Sequence, residues 1–79
     1  MPLMGTMNSD ELDRLLRSYL EARFGLTLNY FVVEGRMAPD PNGDTGVTGN
    51  YRKKAGDKTV FFTVTVNVAS RKIQNLQEY

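Results

Sequence analysis

The sequence predicts an α+β domain: one N-terminal amphipathic helix packed on a three- to four-stranded antiparallel meander, in the order α-β-β-β(-β). Three observations lead there. Leu12, Leu15, Leu16, Tyr19, Leu20 and Phe24 recur at three- and four-residue spacing, the stripe of a helix with one buried side. Lys58 to Val68, KTVFFTVTVNV, alternates strictly between an apolar set (Val60, Phe62, Val64, Val66, Val68) and a mostly polar one (Thr59, Phe61, Thr63, Thr65, Asn67). That alternation belongs to a strand with one face on a core and one in water. Turn-forming clusters at 38–46, 54–57 and 70–72 cut the remainder into short runs, so neighbours in sequence become neighbours in the sheet.

The helix has its own start and stop signals. Asn8 or Ser9 can cap the first amides, and Asn8-x-x-Glu11 approximates a capping box. Asp10, Glu11 and Asp13 place negative charge where the helix dipole favours it, and Asp10–Arg14 and Asp13–Arg17 have ion-pair spacing. Gly25 sits at a left-handed C-cap, with Leu26 able to fold back on the last turn. Residues 1–7 read as a flexible tail and 8–79 as a single domain.

Leu26 to Ala38 reads as a strand of ambiguous phase. Leu28, Tyr30 and Val32 share one face, while Phe31, Val33 and Met37 share the other. Only one set can meet the helix unless a bulge near Gly35 switches the phase. Residues 38–46, with two prolines and several Asp, Asn and Gly, form a mobile loop. Asp40-Pro-Asn42-Gly-Asp44 begins like a calcium loop. Thr45 then stands where Gly is required and Tyr51 where a bidentate Glu would close the cage, so no metal is expected.

Val47 to Lys53 forms the next strand. A four-residue turn, Lys54 to Asp57, sets Tyr51 opposite Val60, Gly49 opposite Phe62 and Val47 opposite Val64, which matches the two apolar sets. Phe62 can then lie over the strand glycine. Residues 73–79 make a weak last strand, since Ile73 and Leu76 do not share a parity. Leu16, Leu20, Phe62 and Val64, central in their stripes, are the expected core.

Composition narrows the chemistry. With no His, Cys or Trp among 79 residues, Ser-His-Asp and Cys-His nucleophiles, His-ligated zinc or haem and thiol redox roles drop out. Glu34 is the one acid inside a strand, with no second acid or nucleophile–base pair to converge with it. The expectation is a non-catalytic, cofactor-free protein. No apolar run reaches the ~18–20 residues that span a bilayer and no signal peptide is evident, so the expected setting is cytoplasmic with no membrane partner.

The surplus of apolar residues on strand 26–38 points to a binding surface. If Leu28, Tyr30 and Val32 meet the helix, then Phe31 and Val33 join Phe61 on the outer face, rimmed by Arg52, Thr63 and other polar residues. The expected function is a small protein-interaction or assembly module acting through the outer face or edge of its sheet, with a protein partner or a second copy (a homodimer). The alternative is single-stranded nucleic-acid binding, with Arg52, Lys53, Lys54 and Lys58 in a stripe beside Phe61. Charge is uneven: residues 1–45 carry four arginines and seven acids, residues 46–79 six basic residues and two acids. That can mark a nucleic-acid face but is better read as an acidic helix packed beside a basic sheet.

A further alternative comes from resemblance. Thr45-Gly46-Val47-Thr48-Gly49 is similar to the Q-x-V-x-G hairpin of cystatin protease inhibitors in Val47 and Gly49, with threonine in place of glutamine. The helix followed by a meander also resembles the cystatin arrangement, although the later hairpin has no tryptophan. The resemblance implies inhibition of a cysteine protease.

Overall fold

A computed structural model describes residues 7–79, with one helix on a four-stranded antiparallel sheet. Helix α1 spans Ser9–Phe24, and strands β1 (Tyr30–Arg36), β2 (Asp44–Arg52), β3 (Val60–Asn67) and β4 (Ile73–Glu78) lie in sequence order. No helix among the described residues is long and apolar enough to cross a membrane. The expected tail lies outside the described residues except for Met7, which is buried and whose carbonyl accepts a bond from the Arg36 guanidinium at 2.8 Å.

The helix ends are formed as the sequence predicts. Asn8 is the N-cap: its Oδ1 accepts from the Glu11 amide at 2.8 Å, and its own amide donates to Glu11 Oε1 at 3.2 Å. Gly25 takes φ +71° and closes the C-terminus, where a side chain would be strained. Ion pairing differs from expectation. Arg17 turns forward to Glu21 at 3.2 Å, not back to Asp13, because Glu21 Oε2 also accepts the Leu28 amide at 2.9 Å while Arg17 donates to the Leu28 carbonyl at 3.2 Å. The shared carboxylate pins the chain leaving the helix, and the Leu28 hydrogen bond holds its pKa below the ordinary value. The second ion pair, Glu11 with Arg71, ties the helix start to the β3–β4 turn.

Leu12, Leu16 and Leu20 pack against Val47, Tyr51, Phe62, Val64 and Val66, all buried. Burying each large side chain contributes about 1.5–3 kcal/mol. The β2–β3 register pairs Tyr51 with Val60, Gly49 with Phe62 and Val47 with Val64, the register that apolar parity requires. A Cβ on Gly49 would stand 2.7 Å from the Phe62 ring, so only glycine fits beneath it. Thr45 also faces the core, opposite Val66, and its hydroxyl has no hydrogen-bond partner.

Strand β2 begins at Asp44, three residues before the predicted start. Asp40 Oδ1 accepts the Asn42 and Asp44 amides at 2.8 and 2.9 Å, and Asn67 Nδ2 donates to the Asn42 carbonyl at 2.9 Å and to Asp44 at 3.0 Å. Asn67 Oδ1 meanwhile accepts the Ala69 and Ser70 amides, so one side chain organises two adjacent turns.

Each edge strand contains a bulge. In β1 the register jumps between Val33 and Gly35, leaving Glu34 as the extra residue. In β4 it jumps across Asn75, which takes φ +58°. Asparagine tolerates that conformation better than most residues. The extra residue brings Ile73 and Leu76, which a regular strand would send to opposite faces, onto the same core.

Candidate functional site

The helix covers one face of the sheet; the other is free among the described residues. Cross-strand register arranges this free face in rows. The first holds Tyr30 and Arg52, and the second Val32, Asn50, Phe61 and Tyr79. The third holds Gly35, Thr48, Thr63 and Gln77; the fourth Met37, Gly46, Thr65 and Gln74. A last row places Asp44 beside Asn67.

Phe31 and Val33, expected on this face, are on the other. Phe31 is level with Tyr51 and stacks on Phe62 at 5.8 Å between centroids, and Val33 is level with Gly49; both pack on the core. Leu28 misled the phase reading. It is buried, but it precedes β1, and Asn29 bonds both the Arg52 and Lys53 carbonyls, so alternation does not run unbroken from Leu28 to Tyr30. Pairing with β2 sets the phase and turns Tyr30 and Val32 outward.

Phe61, Thr63 and Arg52 do lie on the free face. Phe61 is 50% exposed, Thr63 is half-buried, and the Arg52 guanidinium lies 4.8 Å from the centroid of the Tyr30 ring, within cation–π range. The Arg52 Nε is shielded from solvent and has no hydrogen-bond partner.

Two surface residues escaped sequence reasoning, Tyr30 and Tyr79, exposed by 40% and 71%; Met37, which the sequence groups with the outer set, is 71% exposed. Tyr79 extends β4 by exchanging backbone bonds with Phe61, and its hydroxyl donates to Gln77 at 3.2 Å and lies 3.3 Å from that of Thr63. Met37 swings over Gly46, whose absent side chain leaves it room; a Cβ there would meet the Met37 sulfur at 3.2 Å. The β4 bulge was the missing signal for Tyr79, while the β1 bulge falls near Gly35, where the sequence allowed for one, and separates Met37 from Phe31 and Val33.

The two glycines on this face, Gly35 and Gly46, leave a shallow groove of about 640 Å³ bordered by Met37, Thr48, Thr65 and Gln77. Aromatic rings stand proud at one end of the face, and a depression lies at the other.

The basic cluster does not form a stripe. Arg52 points to the free face, whereas Lys53 points to the helix side with its Nζ 4.0 Å from the Phe24 centroid. Lys54 and Lys58 are exposed on the turn between β2 and β3. Adjacent strand residues alternate faces, so Arg52 and Lys53 cannot share one. Glu34 is exposed on its bulge. Val47 and Gly49, the residues of the cystatin-like motif, lie mid-strand against the core and not at a hairpin tip. Comparison with protein-family models, curated proteins and solved structures finds no match to this chain.

Proposed function

We propose that this chain is a small non-catalytic protein-interaction module that works through the helix-free face of its sheet. One observation carries the reading. The exposed large apolar side chains of the described residues, Tyr30, Met37, Phe61 and Tyr79, all fall on that single face. Scattered singly, exposed apolar groups need no explanation; collected on one face within a threonine, asparagine and glutamine surround, they have the build of a recognition surface. Aromatic anchors supply most of the energy at such surfaces, and the polar rim keeps them soluble when unbound.

The flat part of the face is made by strands β2 and β3, held rigidly by the core beneath. Phe61 adjoins the buried Phe62, so the anchor is positioned by a strand whose other face is packed into the core. Little ordering is needed on binding, and that preserves affinity.

The test is to select peptides from a displayed random library on the immobilised chain and map the best binder by amide chemical shifts. Shifts are expected at Tyr30, Thr48, Phe61, Thr63 and Tyr79, with loss of binding in Phe61→Lys. Shifts confined to α1, or binding unchanged by Phe61→Lys, would overturn the reading.

A further inference from the structure

Resting on that reading of the free face, we infer that its occupant is a second copy of this chain, docked face to face about a two-fold axis along the row Gly35, Thr48, Thr63 and Gln77, with Arg52 of each copy meeting Asp44 of the other.

The face is complementary to itself in shape. A two-fold axis lying in the interface across the strands sends each strand over its own counterpart, running the opposite way. Position 48 then maps to itself, and positions equally far on either side exchange. Phe61 and Tyr79, two residues to one side of the axis, fall on the row of Gly46 and Thr65, two residues to the other. That row borders the groove of about 640 Å³ left by the glycines. Phe61 of each copy therefore lies over Thr65 of the other, at the border of the depression, once at each end of the pair.

Charge agrees independently. Asp44 and Arg52 each lie four residues from Thr48 on β2 and both point to the free face. The same operation that seats the rings brings these two opposite charges together. Arg52 forms no ion pair within its own chain among the described residues, and its Nε has no hydrogen-bond acceptor. A carboxylate from across the interface pairs the charge of Arg52, for which the described residues of its own chain supply no acidic partner. The other two-fold axis, parallel to the strands, would lay Arg52 ends together and stack ring upon ring over an empty groove.

Area permits it. Four strands spaced about 4.8 Å apart, each about eight residues long at ~3.3 Å rise, present roughly 500 Å² of face. Two such faces joined remove roughly 1,000 Å², the lower bound for a specific interface. The product is a two-sheet sandwich with a helix on each outside, the usual resolution for a sheet with one uncovered apolar side.

The decisive experiment uses two charge reversals, Asp44→Arg and Arg52→Asp, with mass read by sedimentation equilibrium and folding by circular dichroism. Wild type should be dimeric at tens of micromolar. Each variant alone should be monomeric, its dissociation constant raised on the order of a hundredfold, because like charges then face each other at both ends. Mixed one to one, the two variants should form a heterodimer. The Asp44→Arg chain carries only basic groups at the two positions and the Arg52→Asp chain only acidic ones, so both contacts become attractive again. Should Asp44→Arg fail to fold, adding Asp44→Asn to Arg52→Asp on one chain removes the repulsion and must restore dimer. A monomeric wild type at 100 μM, an order-of-magnitude ceiling for so small a face, would overturn the second-copy proposal while leaving the peptide-binding test of the face standing. A dimer indifferent to both reversals, or reversed variants that do not recombine, would overturn the register.

Discussion

The phenol of Tyr51, buried on the core face of β2, donates a hydrogen bond to the carboxylate of Glu78 near the end of β4. Two strands that do not touch are joined across the β3 between them. Burial first, then the hydrogen bond and charge of Glu78, push the Tyr51 pKa above its ordinary value, against a small opposing effect of Arg23.

Alkaline stability follows from that shift. The folded state holds the Tyr51 proton where the unfolded chain releases it, so this contribution is complete below about pH 10 and declines as pH rises beyond it. Tyr51→Phe should lose about 1 kcal/mol at neutral pH and become less sensitive to pH above 10. Urea denaturation from pH 8 to 11 measures both; an alkaline slope identical to wild type would contradict the assignment.

Two phenylalanines distinguish the faces of the sheet. Phe31→Lys places charge against Phe62 and the core, and should cost at least about 3 kcal/mol, a large part of the stability of so small a domain. Phe61→Lys, at a half-exposed position, should change the stability of the monomer by only about 0.5 kcal/mol. Chemical denaturation at a concentration too low for association reads the difference, and equal losses would mean the faces are reversed.

Thr45→Val should stabilise the domain by about 1 kcal/mol. The hydroxyl is buried opposite Val66 without a partner, and valine keeps its shape while removing the unsatisfied group. A thermal melt shifted downward would show that the hydroxyl finds a partner in solution.

Asn75→Val should cost about 1–2 kcal/mol, because a β-branched residue resists the left-handed conformation the bulge demands, while Asn75→Gly should be nearly neutral. Comparing the two by denaturation separates backbone strain from loss of the side chain. If both cost the same, the asparagine amide matters and the bulge does not.

Much of the framework was legible because it depends on short-range periodicity. Asn8, Glu11 and Gly25 mark the helix, and the turn between Arg52 and Val60 leaves only one register in which Val47 and Tyr51 share a face with Val60 and Val64. The free face was legible only in part. Phe61 stands out among threonines, but Phe31 and Val33 belong to a strand apolar on both sides, and nothing local says which side is in. That answer comes from pairing with β2 across a long loop. The β1 bulge was allowed for near Gly35, but the β4 bulge is silent, since one inserted residue inverts all parity after it, and Tyr79 was hidden for that reason.

The extra residues Glu34 and Asn75 stand on the two borders of the sheet. A foreign strand laid along either border would pair for only a few residues before its hydrogen bonds fell out of step. The sheet cannot be extended sideways into a continuous ribbon. In the proposed pair the joining is by stacking, and an assembly built by stacking one free face on another is complete at two layers. Two single-residue insertions, one on each border, oppose growth in the sideways direction.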